Sequence, residues 1–447
     1  MSKILDASFC EFWTLLSAPL IAWRVRFPTG SVSEQGSRMA ASRAPVEIAP
    51  GQIEIPARLR KACFALCAMN LTLCLMAYLS RAWIYDKNGL GIPTDFVSFW
   101  AAGRLALDGF PAQAFDWDIL KRIEVTKLGQ DFSGDFPWHY PPPFLFVASV
   151  LALLPYSVAH LGWILASIVP YLAVVRAIVG HNFGVLLALA APFVSINALV
   201  GQTGFLTAAL IGGTLYLIPI RPVLAGICLG LLTYKPQYGL LFPLVLIADG
   251  QWRVFVSATV TAIAMFALSW LAFGSESWLA FFQWMTKSSQ AILTEGKATW
   301  WKLQSVYSMV RYFGGPEQLA WAFQFVLTAV LAVGLALMWR SRVPYTLKAA
   351  ALATGTLLAT PYVAIYDMVV LAIPVAFLVR IGLRTGFYSY ELPALGGVLV
   401  LIACYFAAIP TGLGVTLIVS ILVLSRAGSW WRREPVGAAA SAGASRS

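Results

Sequence analysis

The residues that could do chemistry are few and far apart. Asp95 lies in Pro93-Thr94-Asp95-Phe96-Val97-Ser98-Phe99-Trp100, a stretch that follows the first clear apolar run and opens a long polar loop. Its neighbours are apolar and aromatic, so the carboxylate can be partly desolvated. Desolvation raises a carboxylate's pKa and suits it to proton transfer. The same place also suits a helix N-cap, with Thr94 or Asp95 opening a helix over 96–107. The two roles are compatible. Lys235 precedes Pro236 inside a long apolar run. A charge in a bilayer is expensive and faces a polar cavity or another partner. Lys235 therefore either binds an anionic group or caps the carbonyls that Pro236 frees. Tyr366-Asp367 sits in another apolar run. Asp367 is either a polar group of the site or the partner of a Lys or Arg.

Other groups could complete a site. Arg104, Lys302 and Arg311 are candidate ligands for an anionic group, and bidentate geometry would favour arginine; the plainer reading of each is a solvated loop cation. Gln202 and Gln304 could hydrogen-bond a polar substrate or pair with neighbouring helices. His139 and Tyr140 would border the site as stacking or orienting groups. Trp300-Trp301 reads as an interfacial anchor or an aromatic platform. No HExxH, no phosphate-binding loop and no GxGxxG with a suitable acidic partner occurs. Metalloprotease and soluble nucleotide sites therefore have no support, and neither metal nor cofactor is implied.

These residues are carried by a strongly apolar chain. Of 447 residues, 59% are hydrophobic and 11% charged, with mean hydropathy +0.76. That balance fits an all-α polytopic membrane protein and excludes a soluble domain. The net charge of +11 does not point to nucleic acid, because the Lys and Arg sit at the ends of apolar runs, as the positive-inside rule requires. Seventeen Trp and sixteen Tyr suit interfacial belts. The six Cys show no metal or disulfide spacing and read as small apolar packing residues.

Residues 1–60 read as a disordered cytoplasmic leader. Its apolar patch 9–25 is interrupted by Glu11 and Arg24 and makes a poor signal peptide. Met39 begins a more ordinary leader, so translation is expected to start there; a native peptide from residues 5–30 would rule that out. The membrane body covers 61–430, and 431–447 is a cytoplasmic tail. The first span, about 63–84, follows Arg58, Arg60 and Lys61, so its start is cytoplasmic and the loop 85–140 lies outside. That loop holds two amphipathic segments, 96–107 and 115–128, expected as short interfacial helices. It ends in the stiff run Trp138-His139-Tyr140-Pro141-Pro142-Pro143.

Further spans are expected at about 143–157, 159–179, 184–199, 201–218, 222–249, 253–273, 318–339, 346–360, 362–380, 393–409 and 411–425. The run 222–249 would be one helix of roughly 42 Å broken at Lys235-Pro236, or two re-entrant pieces. The total is about twelve transmembrane helices. This parity leaves Arg176 and Arg221 on the wrong side. It also puts the Asp95 loop, the loop 274–317 and the Thr360-Pro361 turn above Tyr366-Asp367 on one outer face. Enzymes acting on lipid-linked substrates need such a boundary.

The segment Asp95-Phe96-x-x-Phe99-Trp100-Ala101-Ala102-Gly103-Arg104, followed by Tyr140-Pro141-Pro142, resembles the first-loop signature of glycosyltransferase family 87. The likeness continues through Gly201-Gln202-Thr203-Gly204, Ala225-Gly226-x-x-Leu229-Gly230 before Lys235-Pro236, Gln304-Ser305-Val306 with Arg311 downstream, and Thr360-Pro361-Tyr362. These matches run in family order from about residue 80 to 375. The resemblance implies a GT-C-like integral membrane enzyme that uses a polyprenyl-phosphate sugar, most simply mannose. It implies a glycolipid or cell-envelope acceptor and a multi-pass place in the inner (plasma) membrane, with the site on the periplasmic face. The family's proposed catalytic base matches Asp95. One departure is that some members carry a His-containing segment after the late Ser-Pro, where this chain has Tyr366-Asp367.

A lipid phosphate is a good leaving group, so transfer needs one carboxylate near its working pKa and donors where phosphate charge develops. Under the resemblance, Lys235, Arg104, Lys302 and Arg311 are the phosphate candidates, Gln202 and Gln304 could hydrogen-bond sugar hydroxyls, and Trp300-Trp301 could be a sugar platform. No second carboxylate at glycosidase spacing is required. The competing readings are a lipid-linked sugar flippase, which broken helices and intramembrane charges would also suit, and a ligase or polymerase of lipid-linked sugars.

Overall fold

The computed structural model describes residues 54–431, apart from 192, 298 and 406–408. Most of the expected leader, the Met39 start and the tail beyond 431 lie outside the described residues. Among the described residues the chain is helical throughout, with isolated bridges but no strand. Five helices are long and apolar enough to cross a membrane: Ala57–Leu79, Tyr156–Val179, Trp252–Thr294, Glu317–Arg340 and Ile365–Thr385. The pair Phe183–Leu189 and Val194–Val200, bent by 61°, makes a sixth if it is one span. The chain is thus a multi-pass membrane protein.

The remaining expected spans are shorter helices, and the reason lies in what surrounds them. Gly204–Leu217 is 14 residues long, about 21 Å at 1.5 Å per residue, against a hydrocarbon core of about 30 Å. Its Phe205, Ala208, Ile211 and Leu215 are buried in protein. Ala57–Leu79 is the opposite case, with Leu71, Leu75, Met76 and Leu79 turned outward. The first helix begins at Ala57, inside the expected leader. Arg58, Arg60 and Lys61 therefore belong to its first turns rather than preceding it.

Three elements differ from the sequence reading in ways that matter for the site. The helix Phe96–Leu107 forms where expected but does not lie on a surface. Phe96, Val97, Phe99, Ala101 and Ala102 are fully buried. Its small residues let it press against Leu145–Ala152: a Cβ on Gly103 would stand 1.9 Å from the Ala148 carbonyl oxygen. The helix Trp117–Leu128 starts two residues later than expected. Asp116 Oδ1 caps it by accepting from Ile119 N–H at 3.0 Å. The expected loop 274–317 is helical in its first half. Helix Trp252–Ser289 turns at Gly274, where φ is +77°, and then resumes through Trp278, Phe281 and Trp284, which pack on neighbouring rings.

The run 222–249 is broken as the proline suggests. Pro222–Leu231 ends in 3-10 turns on either side of Lys235-Pro236, and Phe242–Ala248 follows. Gly226 and Gly230 seat the first piece on helix 252–289; a Cβ on them would lie 2.6 Å from Val254 O and 2.8 Å from Ala258 O. Small residues four apart are the usual means of close approach between membrane helices.

Candidate active site

Asp95 immediately precedes helix 96–107, but its side chain makes no capping hydrogen bond. The carboxylate is half-buried and turns to another part of the chain. Its Oδ2 accepts from Gln202 Nε2 at 2.9 Å, which is the carboxylate's one hydrogen-bond partner among the described residues. Gln202 arrives there because Gly201 takes φ +68° at the end of Val194–Val200. A Cβ on Gly201 would sit 2.7 Å from both Phe96 Cβ and His160 Nε2, so only glycine admits this turn against the Asp95 helix.

Tyr140 fixes which end of the Gln202 amide meets Asp95. Its hydroxyl donates to Gln202 Oε1 at 2.7 Å, and Thr203 N–H donates to the same oxygen at 3.2 Å. With Oε1 so engaged, the amide nitrogen is the end left for the carboxylate. Tyr140 is held edge-on to Phe99 at 5.3 Å and beside Phe144 at 4.7 Å. Burial pushes its phenol well above the ordinary range, so it remains a neutral donor. Burial also raises the Asp95 pKa; the Gln202 hydrogen bond and the charges of Lys302 and Lys235 oppose this in that order.

The second polar set lies across the same tyrosine. Lys235 Nζ meets Asp367 Oδ1 at 2.6 Å, and both side chains are buried. Ala364 N–H donates to Asp367 Oδ2 at 3.3 Å. The ammonium also lies over the rings of Tyr366, Tyr238 and Tyr140 at 5.1, 5.8 and 6.0 Å. Tyr140 therefore touches the amide–carboxylate pair with its hydroxyl and the ammonium with its ring. His139, next in sequence, bonds Ser288 Oγ through Nδ1 at 2.9 Å and stacks on Trp284 at 6.0 Å. Burial, then the Lys235 charge, lowers its pKa to about 4, so the ring is neutral at physiological pH.

The other sequence candidates stand apart or are occupied. Lys302 is exposed, against the Trp301 ring at 5.8 Å. Gln304 spends its amide on backbone: Oε1 accepts from Gly412 N–H at 2.7 Å and Nε2 donates to Trp301 O at 2.8 Å. Arg311 donates to Gly315 O and Thr294 O, both at 3.1 Å, and lies over Trp300. Arg104 is exposed and pairs with Asp108 one turn on. Among the described residues no three His, Cys, Asp or Glu side chains gather as a metal cluster.

Glu124 is a polar residue the sequence reading passed over. It is 1% exposed, and its Oε1 has no hydrogen-bond partner. Burial raises its pKa to about 8, against the pull of Lys121. The available signal was its position: Leu120, Glu124 and Leu128 are four apart and share one buried face.

No curated protein and no solved structure matches the chain. The family model for glycosyltransferase family 87 matches residues 138–361, about half of the chain. That stretch carries Tyr140, Gln202 and Lys235; Asp95 lies ahead of it and Asp367 just beyond. By this match the chain belongs to glycosyltransferase family 87.

Proposed function

We propose that this membrane glycosyltransferase moves a hexose, mannose in the first instance, from a polyprenyl phosphate to a hydroxyl of a lipid-linked or cell-envelope acceptor. Asp95 is the general base. The observation that carries the reading is the partner of Asp95: a neutral amide, held in one orientation by Tyr140 and flanked by lysine charge. Such a carboxylate keeps its basicity while staying aimed. In the proposed step the acceptor oxygen attacks the anomeric carbon and the sugar–phosphate C–O bond breaks. The hydroxyl proton passes to Asp95, and polyprenyl phosphate leaves. Gln202 acts through Asp95 as a positioning residue rather than as a sugar contact. The exposed Lys302, whose charge reaches Asp95, supplies positive charge for the leaving phosphate.

The reading retains about twelve crossings, the shorter ones shielded within the protein, and an outer, periplasmic site in the inner membrane. What supports the placement is that the 299–305 segment and the 360–364 turn are joined by Gln304 N–H donating to Val363 O at 2.7 Å, and that the charge of Lys302 reaches Asp95 in loop 85–140. The test is purified protein with radiolabelled polyprenyl-phosphate mannose and membrane lipid extract. Labelled lipid product supports donor and sugar together. Product only from another polyprenyl-phosphate sugar reassigns the sugar, and product only from a nucleotide sugar overturns the donor class.

A further inference from the structure

Helix Trp252–Ser289 is too long for one crossing. At 1.5 Å per residue, residues 252–273 cover about 33 Å, already the thickness of a hydrocarbon core of about 30 Å. Gly274, with φ +77° and ψ 168°, then breaks the helical path. Phe266 and Trp278 would stand roughly 18 Å apart along a straight helix, yet their ring centroids are 4.4 Å apart. Trp270 Nε1–H donates to Ser275 Oγ at 2.7 Å across the break. Residues 275–289 therefore turn off the axis of the span where it leaves the hydrocarbon.

This second piece meets three different surroundings. Ser277, Phe281, Trp284 and Ser288 recur at helical spacing and are buried in protein. Leu279, Phe282 and Met285 make a stripe along one flank and are 60%, 54% and 50% exposed. Glu276, Gln283 and Lys287 take the other flank and are also exposed. The span before the break presents Ile263, Leu268 and Leu271 outward in the same way as the apolar flank. Water on both flanks would leave the apolar stripe uncovered. Hydrocarbon on both would strand Glu276 and Lys287. A position in the plane of the interface satisfies each flank. The protein face, meanwhile, reaches the site: Ser288 Oγ bonds His139 Nδ1 at 2.9 Å, Trp284 stacks on His139, and Tyr362 donates its hydroxyl to Ser289 Oγ at 2.8 Å.

We infer that residues 275–289 form an in-plane amphipathic helix whose Leu279, Phe282 and Met285 insert at the head-group–acyl boundary of the phospholipid bilayer, and that this seat holds His139 and Tyr362 at head-group depth. Calling that depth the place of transfer rests on the reading above; the seat itself does not.

The test reads depth, not turnover. Glu276→Cys, Leu279→Cys, Phe282→Cys and Gln283→Cys are made one at a time in full-length protein whose six native Cys are replaced, spin-labelled, and placed in phosphatidylcholine nanodiscs. Power saturation compares access to oxygen, which concentrates among acyl chains, with access to a water-soluble nickel chelate. Labels at 279 and 282 should favour oxygen severalfold more than labels at 276 and 283, at a depth of roughly 5–10 Å. Should the cysteine-free protein not fold, wild type is photolabelled from a phosphatidylcholine bearing an acyl-chain diazirine. Label should then fall on Leu279, Phe282 or Met285 and spare Glu276 and Gln283; label spread over both flanks would overturn the inference. So would nickel access at all four sites, which puts the helix in water, or oxygen access at all four, which puts it in the hydrocarbon. Exclusion of both reagents from 279 and 282 would mean that another protein covers the flank, and would overturn it too. None of these readouts depends on transfer, so a failed transfer assay leaves the seat standing.

Discussion

Three buried or half-buried carboxyl groups, Asp367, Asp95 and Glu124, differ in their partners. Asp367 meets an ammonium, Lys235, at 2.6 Å. Asp95 meets a neutral amide, Gln202, at 2.9 Å. Glu124 leaves Oε1 with no partner. A carboxyl buried without a partner holds its proton. Burial raises the Asp95 pKa and its amide partner opposes that rise. The three thus differ in what they meet: an ammonium, an amide and, at Glu124 Oε1, nothing.

The largest effect on folding should come from breaking the lysine pair. Lys235→Ala or Asp367→Leu alone leaves a buried charge uncompensated and should cost about 3–5 kcal/mol, read as lost monodisperse protein. Lys235→Met with Asp367→Leu should recover most of that loss. A double variant that folds but has a raised KM for donor would add a phosphate role for Lys235. A double variant no better than the singles would deny the pairing its structural part.

Gln202→Leu sharpens the comparison at the second carboxylate. Losing a hydrogen bond to a charged group costs about 1.5–3 kcal/mol, here roughly 10–100-fold in transfer rate. The pH profile carries the distinguishing sign. Asp95 must be ionised to act, so activity falls as pH drops through its raised pKa. Gln202 opposes that rise, so the variant's acidic limb should move to higher pH. A lower rate with an unmoved limb would make Gln202 merely structural.

Glu124→Gln tests the carboxyl that keeps its proton. The unfolded chain releases it near an ordinary glutamate's 4.5, and the folded protein near 8. The native state therefore binds more protons in that window, and its stability falls as pH rises through it. The variant lacks this loss. Its apparent Tm relative to wild type should climb between pH 4.5 and 8 and then level off; a constant difference would contradict the assignment. The smallest effect belongs to the exposed pair Arg104–Asp108. Arg104→Ala should change stability by no more than about 0.5 kcal/mol and leave transfer near wild type. A tenfold loss of transfer would instead put Arg104 on the donor.

Part of this arrangement was legible in the chain. Intramembrane charge marked Lys235 and Asp367, because a bilayer tolerates such groups only for a reason. The setting of Asp95, before Phe96 and Trp100, marked it in the same way. That Lys235 and Asp367 hold each other was not legible, since 132 residues separate them. Gln202 was singled out for sugar; that its nitrogen points at Asp95 depends on Tyr140, 62 residues away. Helix 96–107 was placed to the residue, but its burial depends on Gly103 meeting the Ala148 carbonyl. The continuation of helix 252–289 past Gly274 was hidden because Ser275 and Glu276 look like an exit to water.

The central claim is that Asp95 takes the acceptor's proton. Single-turnover transfer from polyprenyl-phosphate sugar, wild type against Asp95→Asn, tests it most directly. Asparagine keeps the shape and removes the base, so the rate should fall about 10²–10⁴-fold with donor binding unchanged and the acidic limb gone. Transfer within a few fold of wild type, with the limb intact, would place the base elsewhere.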